Sequence, residues 1–421
     1  MSTSWTKLFQ PCKQQEAVTG NSEFQSVPSL PWADLRVYTP TNNGGSSFQD
    51  PFEEPIPAVT AFPFYQPYTP SSDIDFIATQ QKARPGITQE YTVNLQHQIA
   101  NDLLLQIAYV GASANHLIYS HSINQAQSAS STNPIRGETT NTFANISLRV
   151  PYEGFDAANL LEQDSEGRSN YNALEVTVKK NMSHGLQFLA AYTWSKTMTT
   201  GASTVVGSTF GGGAVGDQNN LYADYGQADF SRPSRLIVSA VYKLPTLHEG
   251  PAAIKKMVRG WQAQGVATFQ SGTPMTFTDS NSSNIDGTTS DHAYINYSKE
   301  GCSNVRLGGS VKSRLNEFFN TGCFSSAPTV SADGGTAFGN ARASMLQGPG
   351  QHNFDLALAK ITPIAGSESV NLEFRAEFFN AFNSSQFSNP DTAYSDGASF
   401  GVITATSVAP RIGQLAVKLH F

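Results

Sequence analysis

The sequence predicts an all-β protein: an antiparallel transmembrane β-barrel of about ten strands with long external loops. Three observations carry that prediction. The final stretch places Leu415, Val417, Leu419 and Phe421 at every second position, with Ala416, Lys418 and His420 between them. A strand turns successive side chains to opposite faces, so one face is apolar and the other mixed, and the run stops on an aromatic. The same alternation recurs along most of the chain in runs of roughly 8–11 residues, the length that crosses a bilayer as tilted strand. Short and long connections between those runs take turns, as the inner turns and outer loops of such barrels do.

Taken in order, residues 1–85 show no sustained periodicity and hold Pro28, Pro31, Pro40, Pro51, Pro55, Pro57, Pro63, Pro67, Pro70 and Pro85. They read as an irregular Pro/Gly-rich segment with one short strand near 34–38. The barrel portion is read as 86–421. Tyr91, Val93, Leu95 and Ile99 alternate up to a tight turn at Asn101-Asp102, and Leu103, Leu105, Ile107 and Tyr109 alternate after it, with an extension at 117–122. Leu174, Val176 and Val178 pair across 181–185 with Leu186, Phe188, Ala190, Tyr192 and Trp194. Leu236 to Leu244 and Trp261 to Phe269 form a third pair, joined through Lys255, Lys256 and Arg259. Phe354 to Leu358 and Val370 to Phe378 form a fourth, joined through 362–369, and 400–406 is read as the partner of the terminal strand. Long polar segments at 112–168, 196–233 and 271–350 separate the pairs. An antiparallel sandwich also alternates, but with connections that do not switch so evenly between short and long.

Composition fits this fold and excludes others. Aromatics make up 11%, charged residues only 14%, and the chain holds 34 Gly and 22 Pro in 421 residues. A net charge of −7 argues against a nucleic-acid binder. No apolar run is long enough for a transmembrane helix, and a mean hydropathy of −0.29 suits a wall that is apolar only at alternate positions. Met1 to Gln10 lacks the features of a secretory signal, so the reading expects an exported protein whose leader and further parts lie outside this stretch.

The search for chemistry returns little. The eight histidines are scattered, no Cys-x-x-Cys occurs, and there is neither a nucleophile elbow nor a phosphate loop, so no enzyme, metal site or cofactor is expected. Gly211 to Gly213 reads as flexible loop, 279–287 as a polar loop without calcium spacing, and Asp224, Asp229 and Arg232 as loop-anchoring charges. Cys302 and Cys323 lie in one polar segment; a loop-closing disulfide and two unpaired thiols both remain open, with Cys12 left over. The candidate for function is the row Asn371, Glu373, Arg375, Glu377, on the face opposite Leu372 and Phe374. Its opposite charges suit a wet lumen, either lining a solute path or holding a plug, or simply satisfying one another.

Beyond these patterns, an ordered series of blocks resembles the Oar-like TonB-dependent receptors. The blocks are Ser169–Val176, His184–Lys196, Ala223–Arg232, Gly260–Gly265, Ser271–Thr276, Phe338–Arg342, Gly348–Asp355, Asn371–Asn383 and the terminal strand. The resemblance spans about 86–421 and is weak over 1–85. It implies a fragment of a 22-stranded outer-membrane barrel, with uptake of a large solute energised by the TonB complex through an N-terminal part that this stretch does not show. It also implies outer-membrane lipid and the barrel-assembly machinery as partners. The terminal assembly signal is met at Gln414 and Phe421, while Ala416 and Leu419 stand where the resemblance expects glycine and an aromatic. A surface-binding module acting through the long loops and a remnant of a split gene are the other readings, and the solute has no signature in the sequence.

Overall fold

The computed structural model describes residues 76–421, except 81, 154, 159, 201–214, 221, 247–248, 250, 289 and 365–369. The short strand read near 34–38, Cys12, the glycine run at 211–213 and most of the 362–369 connection therefore lie outside the described residues. The wall consists of nine consecutive antiparallel strands: β1 (Ile87–Ala100), β2 (Leu103–Ser122), β3 (Leu160–Ser183), β4 (Leu186–Thr199), β5 (Ser234–Lys243), β6 (Trp261–Gln270), β7 (Gln351–Pro363), β8 (Asn371–Phe379) and β9 (Ile412–His420). Two short strands flank it: Phe76–Thr79 runs parallel to the start of β3, and Gly226–Gln227 pairs with the end of β4. The first of these falls in the segment read as irregular.

The connections alternate cleanly. Turns 101–102, 184–185, 244–260 and 364–370 lie at one end of the wall, and loops 123–159, 200–233, 271–350 and 380–411 lie at the other. The tightest turn shows how the sequence sets register. His184 and Gly185 have φ of 49° and 80°, the two left-handed positions of a type I′ hairpin turn, whose twist matches its strands. A Cβ at Gly185 would also sit 2.7 Å from the Lys243 carbonyl, so only glycine fits there. Beside it, Lys180 Nζ pairs with Asp102 and donates to Ser183 Oγ at 2.7 Å, tying two neighbouring turns together. The hydrogen bond from Lys180 holds the half-buried Asp102 carboxyl down at about 2.

Register then sorts the side chains. One face carries continuous cross-strand rows. Leu95, Ile107, Val176, Tyr192, Leu236 and Phe269 form one row, and Leu105, Val178, Ala190, Val238, Ala267 and Phe354 form the next. Further down, Leu358, Ala376 and Leu415 continue the same face. Val93, Leu95, Leu415 and Val417 are all exposed, which in water would be costly and in lipid is favourable. Aromatics mark both rims. Tyr91 and Tyr109 converge on Asn172 Oδ1 near the loops, and Trp261 stands near the turns. The opposite face reads Asn94, Ala108, Glu175, Thr193, Arg235, Gln270 and Gln351 along one row, a surface suited to water.

One predicted strand is corrected. Residues 400–406 are not in the wall; β9 pairs directly with β8, and Phe400 and Ile403 are buried elsewhere. Their apolar pattern serves a second core. Loops 271–350 and 380–411 fold together around Phe277, Phe319, Phe324 and Phe400, all within 6.3 Å of Phe277 or of one another by ring centroid. Cys302 and Cys323 form a disulfide buried within that core. Backbone bonds from Phe318 to Gly401 and from Ile403 to Leu315 stitch the two loops. The long loops thus form a packed cap, and β2 and β3, at 20 and 24 residues, run past the bilayer length to join it.

Nine strands alternating in direction leave β1 and β9 running the same way. Among the described residues nothing pairs with the outer edge of either. Antiparallel pairing of one edge with the other is therefore excluded, as it is with a second copy in the same membrane orientation.

The two faces should respond differently to charge. Val238→Arg on the apolar face is expected to cost about 2–4 kcal/mol of membrane-embedded stability, and Ser239→Arg on the opposite face less than about 1 kcal/mol. Urea titration in lipid measures both; equal costs would mean the faces are misassigned.

Candidate functional site

The candidate row sits on β8, whose alternation aims Asn371, Glu373, Arg375 and Glu377 away from the apolar face. Cross-strand register places Asn371 opposite His420, Glu373 opposite Lys418, Arg375 opposite Ala416 and Glu377 opposite Gln414. Small neighbours at Ala416 and Ala359 leave room for the guanidinium to reach along its own strand. Arg375 Nη2 donates to Glu377 Oε1 at 2.7 Å and Nε donates to the same oxygen at 3.1 Å. Its Nη1 lies 3.4 Å from Glu373 Oε1, and Nη2 also reaches Gln264 Oε1 on β6 at 3.3 Å. Glu373 is held from its other side by His420 Nε2 at 2.8 Å.

The row is consequently a satisfied network bridging β6, β8 and β9. Each charge keeps its partner while one side remains turned to the hollow of the sheet. A cavity of about 420 Å³ opens there, lined by Lys179, Leu189, Val266, Asp355, Arg375 and Glu377 among others. It mixes both signs of charge with aliphatic patches, a surface for contacts with a polar solute or with a protein segment.

Gln264 and His420 were not singled out in the sequence. Both lie at the same strand parity as the row, so extending the alternation of β6 and β9 would have found them, but only the register shows that Gln264 stands beside Arg375. Of the terminal residues, Gln414 faces the polar side opposite Glu377, Leu419 faces the apolar side opposite Leu372, and Phe421 is almost fully exposed at the turn end. No group of acidic, histidine or cysteine side chains among the described residues has the arrangement to hold a metal ion.

At the loop end a second polar assembly joins three loops. Arg149 is fully buried and donates to the carbonyls of Gln127 at 2.8 Å, Thr142 at 3.1 Å and Ile285, and to Asn145 Oδ1 at 2.8 Å. Two of the charges near 224–232 anchor loops: Asp224 takes His292 Nε2 at 3.0 Å and the Val215 amide, and Arg232 donates to the Ser271 carbonyl at 2.7 Å. Burial pushes the Asp286 carboxyl up to about 6, helped by Asp217 and Asp291 and opposed by Arg149.

The outer membrane beta barrel domain family matches residues 12–414. The chain belongs to that family. It is an outer-membrane β-barrel protein, and its apolar face is the lipid face. Among solved structures it is similar to the outer membrane transporter YddB from Escherichia coli, at 10% identity and a TM-score of 0.41, covering 83% of this chain and 35% of that one. It is also similar to BauA, the ferric preacinetobactin receptor from Acinetobacter baumannii, at 11% identity and a TM-score of 0.38, covering 79% and 29%. The ferric-catecholate import receptor Fiu from E. coli gives 11%, 0.36, 85% and 30%. The chain spans about a third of the length of these structures. No curated protein matches.

Two outcomes test the networks. Arg375→Met, which strands Glu377 and leaves Glu373 with His420 alone, should cost about 1–2 kcal/mol of stability in urea titration, and adding Glu373→Gln and Glu377→Gln should restore most of it. Because burial raises Asp286 above its ordinary 3.8, its contribution to cap stability is full below about 4 and is lost as pH rises through about 6. Amide protection in 123–159 and 271–350, taken relative to the intrinsic exchange rate at each pH, should therefore fall between those values, and Asp286→Asn should remove that fall.

Proposed function

We propose that the chain supplies nine strands to the wall of a transport barrel in the outer membrane, and that it takes part in uptake of a large solute as an Oar-like TonB-dependent receptor. The observation that carries the reading is the two-faced wall, apolar towards lipid and lined by the paired row Asn371, Glu373, Arg375 and Glu377 on the other side. In this reading the row lines the lumen, with its charges mutually neutralised so that a solute or a plug slides past without meeting an unpaired ion. The TonB complex acts through a part of the receptor beyond the strands described. Gln414 and Leu419 in β9, with Phe421 just after it, present the signal to the barrel-assembly machinery.

Strand direction supports the view that this wall is part of a larger one. Lipid tolerates no unpaired sheet edge, and two edges of the same direction call for an odd number of further strands between them. The folded cap favours one companion role: a disulfide-stapled, aromatic-cored outer surface is a fixed shape on which a solute or another cell's surface is first met.

Expressed alone behind a signal peptide, the chain is expected to be removed from membranes by urea, to show no faster-migrating unheated band, and to support no energised uptake. Co-expression with its missing strands should give the urea-resistant, heat-modifiable form. A heat-modifiable band from the chain alone would overturn the need for further strands, and energised uptake by it would overturn the fragment reading.

A further inference from the structure

The turn 244–260 is longer than its neighbours at the same end and holds a helix, Ala252–Val258. Its placement is fixed by two side chains. Trp261 Nε1 donates to the Met257 carbonyl at 2.9 Å, and Lys360 Nζ donates to the same carbonyl at 2.6 Å while lying 5.2 Å from the Trp261 ring centroid. Trp261 and Lys360 are cross-strand partners, and their row continues through Phe374 and Val417. That is the lipid face. The helix end is therefore held beside the wall on its lipid side, at the rim where the short turns emerge, and not beneath the lumen.

The helix is two-sided. Ile254, Met257 and Val258 fall on one face at helical spacing, with Lys255 on its flank and Lys256 on the far side. Ile254 is 49% exposed and Met257 69% exposed, so the wall does not cover the apolar side. Arg259 follows the last turn, and Lys360 adds a fourth cation within reach of Met257. Uncovered apolar side chains between cations, continuous with a lipid-facing wall, have the pattern of a helix lying in a membrane interface.

We infer that Ala252–Val258 is an interfacial anchor: Ile254 and Met257 enter the acyl region of the periplasmic leaflet, and Lys255, Lys256 and Arg259 hold the phosphates of anionic phospholipids. Continuity with the lipid face and complementarity of charge select this occupant over a protein partner. Lys255 lies on the flank of the apolar stripe and Lys256 on the far side of the helix, positions from which long side chains carry their charge to headgroup level. The inference rests on the wall spanning the membrane.

The test uses the full chain, with Cys12→Ser and a single added cysteine, made in cells that natively produce it and purified in polymer-bounded discs of their own membrane. A spin label at Met257→Cys should be accessible to oxygen and shielded from a water-soluble nickel chelate, as a label at Val238→Cys in the wall is. A label at Lys256→Cys should be accessible to the chelate. A Met257 label as chelate-accessible as the Lys256 one, with Val238 immersed, overturns the anchor alone; an aqueous Val238 label overturns the spanning wall as well. In the same discs, co-purified phosphatidylglycerol should be enriched over the bulk membrane and fall by roughly fivefold per lysine in Lys255→Gln and Lys256→Gln. It should persist through a wash with inorganic phosphate. Unchanged enrichment in the lysine variants, or displacement by phosphate, overturns the headgroup contact.

Discussion

Cross-strand register is the constraint on which the remaining structure depends. Each wall strand contributes side chains to both faces, so a slip of one residue between any two neighbours would exchange lipid-facing and water-facing sets. The type I′ turn at His184-Gly185, the Lys180–Asp102 pair and the close packing at Gly185 fix that register at the turn end. The Arg375 network then reads it out: Gln264, Glu373, Glu377 and His420 meet only because β6, β8 and β9 are aligned as they are.

Wall and cap are held by different forces. In the wall, backbone ladders satisfy every interior strand and the side chains face outward to lipid or water, so apolar residues there are largely exposed to their surroundings. The cap has an interior. Phe277 and Phe319 are fully buried in edge-on contact, Arg149 is buried with each of its nitrogens engaged, and a disulfide closes the segment between Cys302 and Cys323. A buried guanidinium satisfied by three carbonyls from different parts of two loops keeps those loops in one arrangement.

How much of this was legible in the sequence depends on period. Alternation with a period of two is a local signal, and it located eight wall strands, the turn at Asn101-Asp102 and the shared face of Asn371, Glu373, Arg375 and Glu377. The final strand was equally plain in Leu415, Val417 and Leu419. Residues 400–406 misled because Phe400, Val402 and Ile403 have the residue types of a strand while Phe400 and Ile403 serve the cap core, and nothing local separates those two uses. The cap carries no such local signal: Phe277, Phe319 and Phe324 are spaced too irregularly for any period, and only tertiary contact unites them. The helix at Ala252–Val258 is illegible for a related reason, since seven residues are too few to establish a helical period.

The cap core is assembled from parts far apart along the chain, and this imposes an order of events. Phe277, Phe319 and Phe324 come from the loop before β7, but Phe400 and Ile403 come from the loop before β9. The disulfide joins residues only 21 apart and needs nothing downstream. The first three rings can therefore gather and be stapled early, yet one side of their cluster stays open until the last loop arrives. That loop is positioned only when β8 and β9 have paired. Completion of the outer surface thus reports that the opposite end of the protein has reached its place, and a chain arrested before its last hairpin would display an unfinished aromatic patch to the exterior.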